Sequence, residues 1–170
     1  MSGIADRFVR QAEECRALGS PFTGRMLDKV LDLLDPTAPL GHRILQADAR
    51  PEDAFPLRLA GALHALARAG DQDLAPVYPP HAARDAALAQ ALRRALTGRA
   101  ADILPWLDHP PQTNEVARSA VLIATGHWLT ARFGLPLVVS ELGASAGVNL
   151  WWDHYALVAG GGPLAPRTPP

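Results

Sequence analysis

Apolar residues recur at helical spacing from the N-terminus to about residue 110. In the first segment Ile4, Phe8, Ala12 and Cys15 share one face, which predicts a helix over 4–18 that ends before Gly19. The same spacing predicts helices at about 23–34, 56–69, 81–96 and 102–107. The stretch from 35 to 51 is rich in turn residues and predicts no definite element. We therefore expect residues 1–110 to form an all-α N-terminal subdomain.

The pattern changes after the two prolines at 110 and 111. A helix is predicted from about 114 to 133, and Gly134 ends it. Leu137, Val138 and Val139 then form a short β-branched run, which predicts a buried strand over 136–141. A glycine-rich turn follows, and a helix is predicted from Val148 to about 157, before a Gly/Pro-rich tail. This strand, turn and helix predict an α/β fold class, in which residues 111–170 begin a Rossmann-like domain.

A single strand does not make a stable sheet, so the partners of this strand are expected to lie outside the chain. We expect the Rossmann-like domain to be incomplete within these 170 residues. An unpaired strand edge promotes association with other chains, which predicts a homodimer or aggregation.

Composition narrows the classes of function. Hydrophobic residues make up 48% and charged residues 19% of the chain, which is typical of a globular protein. The net charge of −1 argues against nucleic-acid binding and against a polybasic membrane anchor. Cys15 is the single cysteine, which excludes an internal disulfide, and no His, Asp or Glu spacing indicates a metal site. Without a signal peptide or a membrane-spanning apolar run, the chain is predicted to be a soluble cytoplasmic protein.

The glycine-rich turn is the strongest candidate for chemistry. Glu141 lies at the end of the predicted strand, where open α/β sheets bind ligands. Glycines in the turn allow close backbone approach, and the N-terminus of the next helix favours an anionic ligand group. Asn149 is placed to bond either the turn or the ligand. The candidate cofactor-binding residues are therefore Glu141, Gly143, Ala144, Ser145, Ala146, Gly147 and Asn149.

This turn resembles motif I of class I S-adenosylmethionine-dependent methyltransferases, in which an acidic residue precedes G-x-G-x-G. Ser145 stands at the position of the middle glycine. The resemblance implies S-adenosylmethionine as a small-molecule cofactor and methyl transfer to an acceptor that the sequence does not identify. In that class the adenine and ribose contacts come mostly from later strands. This chain alone is therefore expected to bind the cofactor weakly or not at all.

Two other classes of function remain open. The run from Gly143 to Gly147 also matches the G-x-S-x-G nucleophile elbow of α/β-hydrolases, with Ser145 as nucleophile. Only Asp153 and His154 follow as acid and base, and both lie too close in sequence to be the usual partners. The third class is a non-catalytic helical interaction module.

A polar run before the fifth long helix adds candidate substrate-binding residues, namely Asn114, Glu115 and Arg118. The alternative is purely structural. Thr113 or Asn114 would then cap the helix, and Arg118 would pair with Glu115 or with Glu141.

Three segments of the chain together resemble the bacterial family catalogued as domain of unknown function 2332. They are the N-terminal helix with the following Ser20-Pro21, the run 111–119, and the turn at 141–150 with Trp152-Asp153-His154-Tyr155. The resemblance covers nearly the whole chain and is to the N-terminal half of that family. It implies a methyltransferase-type fold at the turn, and the family carries no established activity over to this chain.

Overall fold

A computed structural model describes residues 3–48, 50, 53–111, 115–159 and 162–164. The chain divides into two compact units, Met1–Pro111 and Gln112–Pro170. We refer to them as the helical unit and the C-terminal unit.

The helical unit is built from short helices that proline and glycine delimit. Pro21, Pro39 and Pro56 each occupy a first helical turn, where the missing N–H has no intrahelical partner to lose. The α-helices of this unit are α1 (Ile4–Ala17), α2 (Pro21–Leu33), α3 (Pro39–Leu45), α4 (Phe55–Arg68), α5 (Asp85–Gly98) and α6 (Ala100–Ile103). Short 3₁₀ helices at Ala75–Val77 and Leu104–Asp108 complete the connections.

One apolar core joins these helices. The predicted faces are confirmed, because Phe8 and Ala12 of α1 are buried in the same core as Leu27 of α2 and Leu63 of α4. The α1 and α2 helices approach closely at Gly24, where a Cβ would lie 2.6 Å from the Ala12 carbonyl oxygen. The predicted helices over 4–18, 23–34, 56–69 and 81–96 therefore exist with shifted ends, and α3 is an element that the turn-rich pattern did not predict.

The C-terminal unit contains one long helix. This helix, α7 (Ser119–Phe133), follows a 3₁₀ turn at Val116–Arg118 and ends at Gly134, whose φ of 65° is left-handed. A second 3₁₀ segment runs over Val148–His154. Two short strands, β1 (Leu157–Ala159) and β2 (Gly162–Leu164), then pair antiparallel, with Leu157 opposite Leu164.

The predicted Rossmann-like α/β fold is wrong, because the described part of the chain is almost entirely helical. Residues 136–141 form no strand, and the segment predicted to be a helix after the turn is 3₁₀. The apolar run from Leu135 to Val139 is left exposed, and Val138 is 97% exposed. Neighbouring strands give a β-branched run its hydrogen bonds and its burial. Among the described residues no strand lies beside 136–141, so the run stays irregular.

None of the helices within the described ranges has the length and apolar character needed to cross a membrane. The same residues contain no group of three or more His, Cys, Asp or Glu side chains arranged to hold a metal ion.

Candidate functional site

The glycine-rich turn has an alternating backbone. Gly143 and Gly147 have φ of 69° and 71°, and Ser145 between them has φ of 52°. Side chains with a Cβ adopt this left-handed region at a cost, which glycine avoids. The backbone therefore explains the glycines at 143 and 147. It also gives Ser145 the conformation that the middle glycine of G-x-G-x-G would favour.

A buried hydrogen-bond relay holds the end of the turn. Asn149 and Ser119, at the start of α7, are only 6% and 2% exposed. The Ser119 hydroxyl donates to Asn149 Oδ1 at 3.0 Å. The amide of Asn149 in turn donates to Glu141 Oε1 at 3.4 Å. Asn149 thus joins α7 to the acidic residue that precedes the turn.

The second carboxylate oxygen of Glu141 stands out chemically. Oε2 is buried and has no hydrogen-bond partner among the described residues. An isolated buried acceptor is costly, and native proteins usually satisfy such atoms with protein, water or ligand donors. Glu141 Oε2 is therefore an acceptor whose hydrogen-bonding need the described residues do not meet.

Two aromatic contacts support the segment after the turn. The Trp152 indole lies directly against Gly126 of α7, where any Cβ would collide with the ring. The Tyr155 hydroxyl donates to the Val148 carbonyl at 2.8 Å. These contacts fix the 3₁₀ segment that carries Asn149.

Two of the predicted substrate-binding residues, Glu115 and Arg118, take no part in the hydrogen bonds that join Ser119, Asn149 and Glu141. Glu115 caps the 3₁₀ turn, since its side chain accepts from the Ala117 N–H at 3.0 Å. Arg118 is exposed, and among the described residues it forms no ion pair with Glu115 or Glu141. Asn114 lies outside the described residues. The other candidates, Ala144 and Ala146, contribute backbone to the turn.

Residues 5–167 match the model of a protein family described as "Uncharacterized protein conserved in bacteria (DUF2332)". The chain belongs to the DUF2332 family. No curated protein and no solved structure matches it. Family membership therefore brings no assigned activity to this DUF2332 chain, and its chemistry must be argued from its own residues.

The hydrolase hypothesis depends on Ser145 as nucleophile and on Asp153 and His154 as acid and base. Ser145 is exposed and has the positive φ described above. His154 Nε2 lies 3.8 Å from Asp153 Oδ2, and the His154 ring lies against the Trp151 ring. Asp153 and His154 are largely exposed, so they lack the burial that orients a catalytic base and its carboxylate partner.

The DUF2332 chain also has a cavity that the sequence did not reveal. It lies in the helical unit, measures about 410 Å³ and is lined mainly by apolar and aromatic groups, including Phe22, Met26, His64 and Tyr78. Burial raises the pKa of Tyr78, whose hydroxyl contacts Met26 Sδ at 3.1 Å. The lining residues come from three separate segments, 19–26, 60–64 and 78–79, and they share no motif, so no sequence pattern marks the cavity.

Proposed function

We propose that the turn from Glu141 to Asn149 binds S-adenosylmethionine. The observation that carries the proposal is the buried Glu141 Oε2, which has no partner among the described residues. A carboxylate with one oxygen bonded to Asn149 and the other without a described partner can accept hydrogen bonds from amino or hydroxyl groups. S-adenosylmethionine carries both kinds of donor.

The backbone of the turn supports the same ligand. At Gly143 an added Cβ would meet no atom within 4 Å, so the space beside this residue is open. At Gly147 the nearest side-chain atom to an added Cβ is Leu150 Cδ1, at 3.9 Å. In the proposed complex the backbone around these glycines approaches the methionine portion of the ligand, and Glu141 orients its polar groups.

When bound, S-adenosylmethionine supplies a methyl group on a sulfonium. The part that this chain would take is to hold that ligand and to keep the Glu141 carboxylate fixed through Asn149 and Ser119. The methyl acceptor is not proposed, because Glu115 serves as a cap and Arg118 makes no described contact that would define an acceptor site.

The first test is a titration of S-adenosylhomocysteine into the isotopically labelled chain, followed by backbone amide NMR, which detects weak binding. We expect saturable shifts confined to the amides of 141–149 and their loss in Glu141→Gln and Gly143→Val. Glu115→Gln is the matched control, because it also removes one carboxylate but leaves the turn unchanged. The expectation that this chain alone binds weakly or not at all rested on the Rossmann-like fold, which is wrong, so absence of saturable shifts in the unmodified chain would refute the proposal.

Ser145 separates this proposal from the hydrolase hypothesis. Its positive φ is compatible with a strained nucleophile as well as with a glycine-like turn position. Ser145→Gly should preserve ligand shifts if the turn binds S-adenosylhomocysteine, since glycine adopts this φ freely. Covalent labelling of Ser145 by a fluorophosphonate probe, abolished in Ser145→Gly, would instead support the hydrolase.

A further inference from the structure

A small cavity in the helical unit is lined by positive charge. Along α1, Arg7, Arg10, Gln11 and Glu14 share one helix face at the spacing of neighbouring turns. Residues 54–56 at the start of α4, together with Arg50, form the opposite wall. The cavity measures about 80 Å³, enough for one compact ion with its contacts.

Positive charge exceeds negative charge among the described residues of the lining. Arg7, Arg10 and Arg50 line the cavity with one described carboxylate, that of Glu14. One Glu14 oxygen already accepts from the Gln11 amide at 3.1 Å. Outside the lining, Asp53 Oδ2 accepts from the Arg50 backbone N–H at 2.7 Å and lies 3.8 Å from Arg50 Nε. With Arg50 paired to Asp53, Arg7 and Arg10 still outnumber Glu14 among the described residues of the lining.

Arg7 has an unmet hydrogen-bonding need. Its Nη1 is buried and has no acceptor among the described residues. A guanidinium is always charged and its N–H groups are only donors, so burying one without an acceptor is unfavourable. An anion in the cavity that Arg7 lines would supply the missing acceptor and would offset the repulsion between the arginines.

The start of α4 adds to the positive potential. Ala54 caps this helix without any side-chain hydrogen bond, and the first turn contains no acidic residue. The first turn itself therefore supplies no carboxylate to offset the partial positive charge of the helix N-terminus, and Asp53, just before the cap, is paired with Arg50 and Arg58. Ala54 and Phe55 bring this helix end to the wall of the same cavity.

We propose that this cavity binds a compact oxyanion, namely the phosphate group of a small molecule. Arginine suits this role because its planar fork of N–H groups matches the oxygens of a phosphate. The proposal does not depend on the turn at Glu141, which belongs to the other unit.

The test is a calorimetric titration of inorganic phosphate into the full 170-residue chain, with sodium chloride keeping the ionic strength constant. We expect saturable binding that weakens about tenfold in Arg7→Gln and in Arg10→Gln, because each change removes a charge-assisted hydrogen bond. Arg93→Gln is the matched control, since Arg93 is exposed on α5 and does not line the cavity.

Arg10→Gln and Arg7→Lys keep the proposal testable if Arg7→Gln fails to fold. Arg10 is exposed, so Arg10→Gln should fold even if the partly buried Arg7 does not tolerate replacement. Arg7→Lys keeps the charge without the planar fork, and intermediate affinity is expected. Failure of the unmodified chain to bind phosphate, or equal weakening in Arg93→Gln, would overturn the proposal. Unchanged phosphate binding in Glu141→Gln would keep this result distinct from the outcome at the turn.

Discussion

The relay between Ser119, Asn149 and Glu141 gives the sharpest test of the C-terminal unit. Asn149→Ala removes the 3.0 Å hydrogen bond from Ser119 and leaves that buried hydroxyl without its acceptor. The lost bond contributes about 1 kcal/mol, and a stranded buried hydroxyl costs about 1–2 kcal/mol more. The amide contact to Glu141, at 3.4 Å, is long for a hydrogen bond, so it orients the carboxylate but adds little to the free energy of unfolding. We therefore expect the free energy of unfolding of this unit to fall by about 2–3 kcal/mol.

Tryptophan fluorescence can isolate this unit. Three of the four tryptophans, Trp128, Trp151 and Trp152, lie in the C-terminal unit, and Trp106 lies in the helical unit. In a Trp106→Phe background, urea unfolding followed by fluorescence therefore reports on the C-terminal unit alone. The assay compares Asn149→Ala, Ser119→Ala and the double variant.

The interaction energy between Ser119 and Asn149, measured from the single and double variants, tests whether their hydrogen bond holds the turn. If the hydrogen bond holds the turn, the double variant should be less destabilised than the sum of the single variants, by about 1 kcal/mol. Thr125→Ala is the control, because Thr125 is exposed on the same helix. Additive effects, or an Asn149→Ala change no larger than that of Thr125→Ala, would refute the reasoning.

Three further predictions concern packing, charge and association. Gly24→Ala should cost the helical unit about 1–3 kcal/mol in thermal or urea unfolding, because the new Cβ would lie 2.6 Å from the Ala12 carbonyl oxygen. The hydrogen bond from Lys29 holds the pKa of Asp85 below its ordinary value of 3.8. Lys29→Met should raise it, as read by carboxyl-carbon NMR titration. Val138→Lys should reduce self-association in sedimentation velocity, because Val138 is 97% exposed in an apolar segment.

Each of these predictions has a matched control and a contradicting result. Gly98→Ala should stabilise the helical unit slightly, because its Cβ meets nothing within 4 Å on α5, and equal effects at both glycines would contradict the packing argument. A depressed pKa stabilises the fold above the ordinary pKa, and this contribution disappears as the pH falls through the lowered value. If Asp85 titrates unchanged in Lys29→Met, that linkage is absent. For association, Val9→Lys on α1 is the control, and an equal reduction there would show that added charge alone is responsible.

In the helical unit, the spacing of apolar residues predicted most of the longer helices. The apolar faces of α1, α2, α4 and α5 were predictable, because each face consists of apolar residues that recur at helical spacing within one short segment. Gly19, before which the first helix was predicted to end, follows the end of α1 closely, and the start predicted at 56 lies next to the observed start of α4 at Phe55. The cavity beside Tyr78 was not predictable, because its walls come from α2, α4 and the segment around Pro79.

The C-terminal unit shows where the pattern fails. The run Leu137–Val139 has the composition of a buried strand, yet burial and pairing depend on neighbours that a local pattern does not contain. At the turn, the backbone conformation accounts for the glycine pattern, since Gly143 and Gly147 both have positive φ. Whether these residues bind a cofactor stays a prediction, as does the cytoplasmic location.

The sequence by itself determined helices α1, α2, α4 and α5 and the glycine positions of the turn, because helical periodicity and positive φ are properties of a few adjacent residues. Only the tertiary structure decided that Ser119 and Asn149 meet, that Glu141 Oε2 is buried, and that Arg7 and Arg10 face the start of α4. Such contacts join residues that are distant along the chain. They form only when the packing of whole elements brings these residues together.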